Sequence, residues 1–333
     1  MTTAELDADV QTTNGSRTWI EILGAIWAWI FLAALIVFFS ITGQGFLSLT
    51  NFQNILANMS ILAILAFGQT FVIIAAGIDL STGWVMGMVS VASALVITSF
   101  APGTPLWLLI LAGSLVGILV ATIAGLVNGL LIARLNVPPF IATLGMFGIA
   151  RGVGFLLSGG MPVPIQIREL GRLGNGYLAY FHPELGWSFL APPVGIERAQ
   201  MRDLQGILPF IVIIVIVLIV GAHLLLSRTK FGLHTYAIGG NKEASMRAGI
   251  PVMRHLTMIY ILSAVFAGLA GLIYNTRFTN GAANAGEALL LDSIAAVVIG
   301  GASLFGGAGT MIGTLMGALI IAVLENGLVI LAV

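Results

Sequence analysis

An all-α protein that crosses a membrane many times is the fold class this sequence predicts, and three observations predict it. Hydrophobic residues make up 59% of the 333 and charged residues 8%, where a soluble domain carries roughly 25% charged. A mean hydropathy of +1.08 leaves too little polar surface to coat a water-facing globule. The 42 glycines suit helices packed in lipid, where small residues let backbones approach closely. Thirteen basic residues balance thirteen acidic ones, so nothing indicates a nucleic-acid surface. Cysteine is absent, which excludes disulfides, thiolate nucleophiles and cysteine-ligated metals.

Each element follows from the length of its apolar run, since a spanning helix needs about 20 apolar residues. Residues 1–18 are polar and acidic and read as a disordered cytoplasmic tail without the basic start of a signal peptide. From Trp19 to about Ile41 the chain stays apolar for longer than a signal h-region, which makes this stretch the first span. Further spans are expected near 55–76, 80–100, 106–133, 138–157, 207–226, 252–275, 288–305 and 309–331, nine in all. Residues 19–333 thus form one transmembrane domain with hydrophilic loops at 158–206 and 228–251.

Loop charge sets the orientation. With the amino terminus inside, Arg17, Arg134, Arg228, Lys230, Lys242, Arg247 and Arg254 fall on cytoplasmic segments. Arg277 and the arginines of the 158–206 loop (Arg168, Arg172, Arg198, Arg202) fall outside, and Arg151 lies within the fifth span. The basic excess places the amino terminus in the cytoplasm.

The fourth and ninth spans resemble each other. Gly113-Ser114-Leu115-Val116-Gly117-Ile118-Leu119 parallels Gly313-Thr314-Leu315-Met316-Gly317-Ala318-Leu319, and Asn128-Gly129-Leu130 parallels Asn326-Gly327-Leu328. One reading is coincidence among glycine-rich apolar helices. The other is a duplication of five helices, whose odd number would set the copies inverted in the membrane, a recurring transporter architecture. The duplication reading expects a tenth helix beyond Val333.

Enzymatic chemistry finds no support. There is no G-x-x-x-x-G-K-[ST] phosphate loop, and His182, His223, His234 and His255 are scattered without metal spacing. No catalytic residue and no metal ligand is assigned. The most informative polar stretch is 228–251. Asn241 is a good N-cap, Lys242 to Ala248 supply two turns, Gly249 suits the C′ position, and Pro251 stands where a helix cannot continue. This short helix is either a solvated turn whose charges, Lys242 and Arg247 among them, set topology, or a rigid docking element for a partner.

Glu243-Ala244-Ser245 followed three residues later by Gly249 resembles the E-A-A-x-x-x-G signature of binding-protein-dependent ABC import permeases. The I-x-L-P that completes the signature is replaced by Ile259-Tyr260-Ile261-Leu262, which is similar to the ribose-type branch of monosaccharide permeases. Four other stretches match that branch in order: Gly68-Gln69-Thr70 leading to Ala76-Gly77-Ile78-Asp79-Leu80-Ser81, Gly125 to Gly129, Phe140 to Gly145, and Asp292 to Gly301. The resemblance implies an all-helical permease subunit of the bacterial inner membrane, not itself an enzyme, that moves a ribose-like pentose, a hexose or a related polyol. It implies that 241–249 is a coupling helix seated in an ABC ATPase subunit. It further implies a second permease, identical or paralogous, and a periplasmic sugar-binding protein that the 158–206 loop would meet. ATP and magnesium would be held by the ATPase, leaving this chain without a cofactor. The chain departs from the branch at Leu290, often acidic there, at Ala308, often basic, and in lacking a tenth helix.

Polar side chains within spans are costly in lipid and therefore candidate functional groups. Gln69 and Asn128 can each hydrogen-bond a sugar hydroxyl on the substrate pathway or join two helices. Thr143 has the further option of back-bonding to its own helix. Arg151 is a guanidinium deep in the fifth span that can pair with Glu325, snorkel outward or line the pathway. Asp79 and Asp292 read as caps at the starts of the third and eighth spans. Gly300 and Gly301 read as a tight backbone feature that serves packing or gating. The rival functions are an ion-coupled secondary transporter, for which Arg151, Asp292 and Glu325 are the available ionisable groups, and a passive polyol pore.

Overall fold

Without water in the hydrocarbon core, an apolar run closes its backbone hydrogen bonds within itself, which makes it a helix. The computed structural model describes residues 19–193, 195, 196 and 200–332, with backbone alone for 19–26. The tail expected at 1–18 and Arg198 lie outside the described residues. The first half holds α1 (Trp19–Thr42), α2 (Leu49–Ile74), α3 (Thr82–Ser99), α4 (Leu106–Ala133) and α5 (Pro139–Ser158). A cap follows, built from β1 (Val163–Pro164), α6 (Arg168–Asn175) and the antiparallel strands β2 (Tyr177–His182), β3 (Gly186–Phe189) and β4 (Gln205–Pro209). The second half holds α7 (Phe210–Arg228), α8 (Lys230–Gly240), α9 (Lys242–Arg247), α10 (Val252–Phe278), β5 (Asn280–Gly281), α11 (Leu289–Ile299) and α12 (Met311–Ile330).

Among the described residues seven helices (α2 to α5, α7, α10 and α12) are long and apolar enough to cross a membrane. Several boundaries move for local reasons. The second helix starts at Leu49 rather than near 55, because the Ser48 hydroxyl accepts the Asn51 amide at 3.2 Å and caps it. The helix expected from 207 starts at Phe210, because β4 pairs with β2 as far as Pro209. The 158–206 stretch is an ordered cap rather than a bare loop. Its strands pair in the order β3-β2-β4, β1 pairs with β5, and the Gln53 amide donates to the Gly206 carbonyl.

The eighth span departs from expectation. Instead of one helix over 288–305, the helix covers Leu289–Ile299 alone. At 1.5 Å per residue it rises only about 16 Å, half of a core about 30 Å thick. The non-helical segment 279–288, a short strand at 280–281 followed by turns, supplies the rest. It runs antiparallel to α3, with Gly281 against Ser90 and Ala94, Ala283 against Gly87, and Gly286 against Gly83. Its sequence, TNGAANAGEA, is rich in glycine and asparagine, which disfavour helix.

Extended backbone is tolerated at membrane depth only where protein satisfies it. Here Ser90 does so: its hydroxyl accepts the Ala282 amide at 3.1 Å and donates to Asn275 Oδ1 at 2.6 Å, while Asn275 Nδ2 donates to the Ser90 carbonyl at 2.9 Å. The 75–81 turn between α2 and α3 is likewise sunk in the bundle. The order long helix, sunken connection, shorter helix therefore occurs twice, at α2–α3 and at α10–α11. Packing is reciprocal as well, with α4 lying along α10 and α12 along α2.

Close approach at these crossings requires glycine. A Cβ on Gly87 would overlap the Ala283 carbonyl oxygen, and one on Gly317 would overlap that of Ala296. By contrast, Gly152 on α5 has open space around it. Gly87→Val is expected to lower the melting temperature of the detergent-solubilised protein by about 5 °C or more, since an overpacked backbone contact costs roughly 3 kcal/mol. Gly152→Ala should leave it unchanged. Equal melting temperatures for the two variants would contradict the packing described.

Candidate functional site

Two regions gather the residues that the sequence singled out, and a third holds Arg151. The first region is α9, on the connection between α7 and α10. Asn241 takes an extended conformation and its side chain accepts the Ala244 amide at 2.9 Å, as an N-cap does. Gly249 follows the helix with φ of 82°, a left-handed conformation that glycine adopts without strain, and its amide donates to the Met246 carbonyl at 3.0 Å. Lys242, Glu243, Ala244, Arg247 and Gly249 are exposed, and Ser245 alone turns inward. A capped helix thus stands proud of the bundle with its charges outward.

The helix before it, α8, had no counterpart in the sequence reading. Its signal was Thr229, whose hydroxyl accepts the Phe231 amide at 3.1 Å and so caps it. The end of α8 touches the core of the bundle. Gly239 packs on the Ile74 carbonyl at the close of α2, and the Gly307 amide donates to that same carbonyl at 2.8 Å. Tyr236 Oη donates to the Gly309 carbonyl at 2.7 Å. Burial pushes the Tyr236 phenol above its ordinary value, so it remains a donor across the physiological range. One continuous set of contacts therefore joins α9, through α8, to the end of α2 and the glycine-rich 300–310 turn. Gly300 closes α11 against Gly313 of α12, and Gly301 has φ of 88°. Both belong to that tight turn.

The second region is the sunken turn at Asp79, a buried carboxylate whose described partners are all hydroxyls and an amide. Its Oδ1 accepts from the Ser81 amide at 3.0 Å and the Ser81 hydroxyl at 2.6 Å, and its Oδ2 accepts from the Ser263 hydroxyl of α10 at 3.0 Å. Asn128 of α4 donates to the Ser81 hydroxyl at 3.0 Å. Gln69 of α2 donates to the Asp79 carbonyl and, at 3.1 Å, to the Thr82 hydroxyl. Four helices are thereby tied to one turn. Asp79 stands two places ahead of Ser81, the N-cap of α3, and organises that cap rather than being it.

Gln69, Asn128 and Thr143 are wholly buried. Thr143 back-bonds to the Pro139 carbonyl at 2.8 Å. The free carbonyl oxygens of Gln69 and Asn128 stay inside the protein. None of the three opens onto a surface of this chain.

Arg151 does. It lies exposed on α5 with its guanidinium 5.1 Å from the centre of the buried Trp84 ring, which Phe147 and Phe155 flank. It does not pair with Glu325, which instead meets Asp292 across α11 and α12. Asp292 is therefore no cap. It lies in the first turn of α11, and Ala288 holds the N-cap position. Around Arg151, Gly145, Gly148 and Gly152 present bare backbone on the same outward face of α5.

The Asp79 geometry assigns that carboxylate a structural task. Asp79→Leu leaves two serine hydroxyls and an amide unpaired in a dry interior, at about 1–3 kcal/mol each. Its folded yield and melting temperature should fall sharply, while Asp79→Asn, which keeps an acceptor, should lose less. An Asp79→Leu protein of wild-type stability would contradict this assignment.

Residues 51–333 match the family described as branched-chain amino acid transport system / permease component. The chain is 37% identical to the ribose import permease protein of Bacillus subtilis, over 91% of this chain and 84% of that protein. It is 35% identical to the xylose transport system permease protein of Haemophilus influenzae (91% and 88%), and 33% identical to the ribose import permease protein of Escherichia coli K12 (97% and 92%). No solved structure matches. With its apolar helices and this match over most of its length, the chain is a multi-pass membrane transport subunit rather than an enzyme, and it belongs to the branched-chain amino acid transport system / permease component family.

Proposed function

We propose that this chain is the translocating subunit of an ABC importer for a monosaccharide or related polyol, residing in a bacterial inner membrane with its amino terminus in the cytoplasm. The observation that carries this reading is α9, a rigid helix capped by Asn241, closed by Gly249 and exposed along its length, in a chain whose relatives import ribose and xylose. Separate ATPase subunits, holding ATP and magnesium, would dock on Asn241 to Gly249. A second permease, identical or paralogous, would face this one across a pathway, and a periplasmic sugar-binding protein would meet the cap over 158–206.

The contacts from α9 through α8 to Ile74 and the 300–310 turn give the mechanism its route. Movement of α9 by the ATPase reaches the ends of α2 and α11 through packed backbone, and the helices tilt between inward- and outward-facing states. Two states biased by differential nucleotide binding suffice. The sugar would pass along the outward face of α5. There the glycines leave room, and Arg151, held over Trp84, offers five N–H donors to hydroxyl oxygens. A guanidinium on an outward membrane face is costly against lipid and is accommodated by a watery pathway. Gln69, Asn128 and Thr143 then hold the scaffold behind that face.

Three outcomes test this reading. Extracted in mild detergent with its operon partners, the chain should bring down an ATPase subunit in stoichiometric amount; a chain that purifies alone and moves sugar without ATP would overturn the proposal. Glu243→Arg and Gly249→Pro should abolish uptake with the protein still folded in the membrane, the second because proline cannot adopt φ of 82°; normal uptake in both would remove the docking role. Arg151→Gln should lower uptake about tenfold at equal folded amount, the loss expected for a charged hydrogen bond to substrate. Unchanged uptake would exclude Arg151 from the pathway.

A further inference from the structure

Beneath the cap, the bundle carries a groove that lies off the route from α9 to α2 and off the face of α5 that bears Arg151. Helix α6 lies across the end of α10, with Gly174 against the backbone of Thr276 and Arg277 and Asn175 Nδ2 donating to the Arg277 carbonyl at 2.8 Å. On its membrane side is an apolar cavity of about 500 Å³, walled by Ile97 of α3, Ile110 of α4, Ile214 of α7 and Leu272 of α10. On its other side is a second cavity of about 740 Å³ lined by Arg168, Arg172 and Asn175. Leu173 and Phe210 form walls of both cavities. The two thus share a wall, the first apolar at the depth of the spans and the second edged by the arginines of the cap.

The charge at the upper end is uncommitted. Arg168 and Arg172 are one turn apart and exposed, and among the described residues neither guanidinium has an ion pair or hydrogen bond. The carboxylate on the same helix, Glu169, lines a different cavity with Pro164 and Gln166. Leu173 and Ile214, each 41% exposed, leave the apolar part open to the bilayer side.

An occupant must offer hydrocarbon below and negative charge above, and it must arrive from the membrane. We infer that this groove holds one anionic phospholipid, with its phosphate at Arg168 and Arg172 and an acyl chain between α3, α4, α7 and α10, in the leaflet that meets the cap. Basic residues at the edge of a groove between transmembrane helices are a recognised arrangement for lipid headgroups. The uncommitted arginines favour an anionic headgroup over a zwitterionic one. A protein segment would bring charge to the arginines but would leave the apolar cavity between the helices unfilled.

The test uses the full chain in nanodiscs of phosphatidylcholine containing a minor fraction of phosphatidylglycerol with a photoreactive acyl chain. Adducts on wild-type protein should map to Leu173, Phe210 to Ile214 or Leu272; adducts spread evenly over the lipid-facing helices, or confined elsewhere, would overturn the proposal. In parallel, native mass spectrometry of purified protein should show a retained phosphatidylglycerol. The Arg168→Gln, Arg172→Gln double variant should lose about tenfold of it, and Ile214→Trp should lose it by filling the groove. Equal retention in both variants, or retention of zwitterionic lipid alone, would refute the site. If either variant fails to fold, the wild-type adduct map decides.

Discussion

No main-chain amide or carbonyl can face hydrocarbon unpaired, and the rest of this structure depends on that constraint. It makes the apolar runs helical. It also decides how the chain can depart from helix inside the membrane, at 75–81 and 279–288. Each departure packs against helices that supply its backbone with a partner: Gln69 of α2 donates to the Asp79 carbonyl in the first, and Ser90 of α3, held by Asn275, accepts the Ala282 amide in the second. The buried polar groups are thus primarily the cost of broken helices. Close-packed glycines such as Gly83 and Gly87 let the second non-helical segment approach α3 closely.

Breaking the helices has a mechanical consequence. A continuous helix resists bending, whereas a helix that starts inside the bundle, as α3 and α11 do, can pivot about its first turn. The end of α2 and the 300–310 turn share the Ile74 carbonyl as a contact for Gly239 and Gly307. The end of α8 is part of that junction, and α9 follows it directly. At that junction backbone packs on backbone, and the Tyr236 hydroxyl adds a link to Gly309.

Much of this was legible in the sequence, and the misses are instructive. Spans with uniform apolar runs, such as 106–133, were found to the residue because length alone specifies them. The short helix at 242–247 was legible because asparagine, glycine and proline mark its ends by backbone geometry. The eighth span was expected to run to 305 because Ala, Leu and Phe keep hydropathy high there, but it ends at Ile299; the pair Gly300-Gly301, which closes the helix, was the available signal. Arg151 was placed in the right helix with three options open, of which the structure removes the pairing with Glu325. Its stacking on Trp84 is a contact between α3 and α5, and the sequence does not carry such distances. The burial of Gln69 and Asn128 was hidden for the same reason: a polar residue in a span reads alike whether it faces a pathway or another helix.

The central claim is that 241–249 is the surface on which an ATPase acts. The chain has no cysteine, and a photoreactive amino acid can replace Glu243 on an exposed position without disturbing a buried contact. Illumination of membranes containing the assembled transporter should yield one cross-linked product joining this chain to an ATPase subunit, with its yield changing on addition of ATP. A position 243 that cross-links only to lipid or to nothing, in membranes that take up sugar normally, would contradict the account.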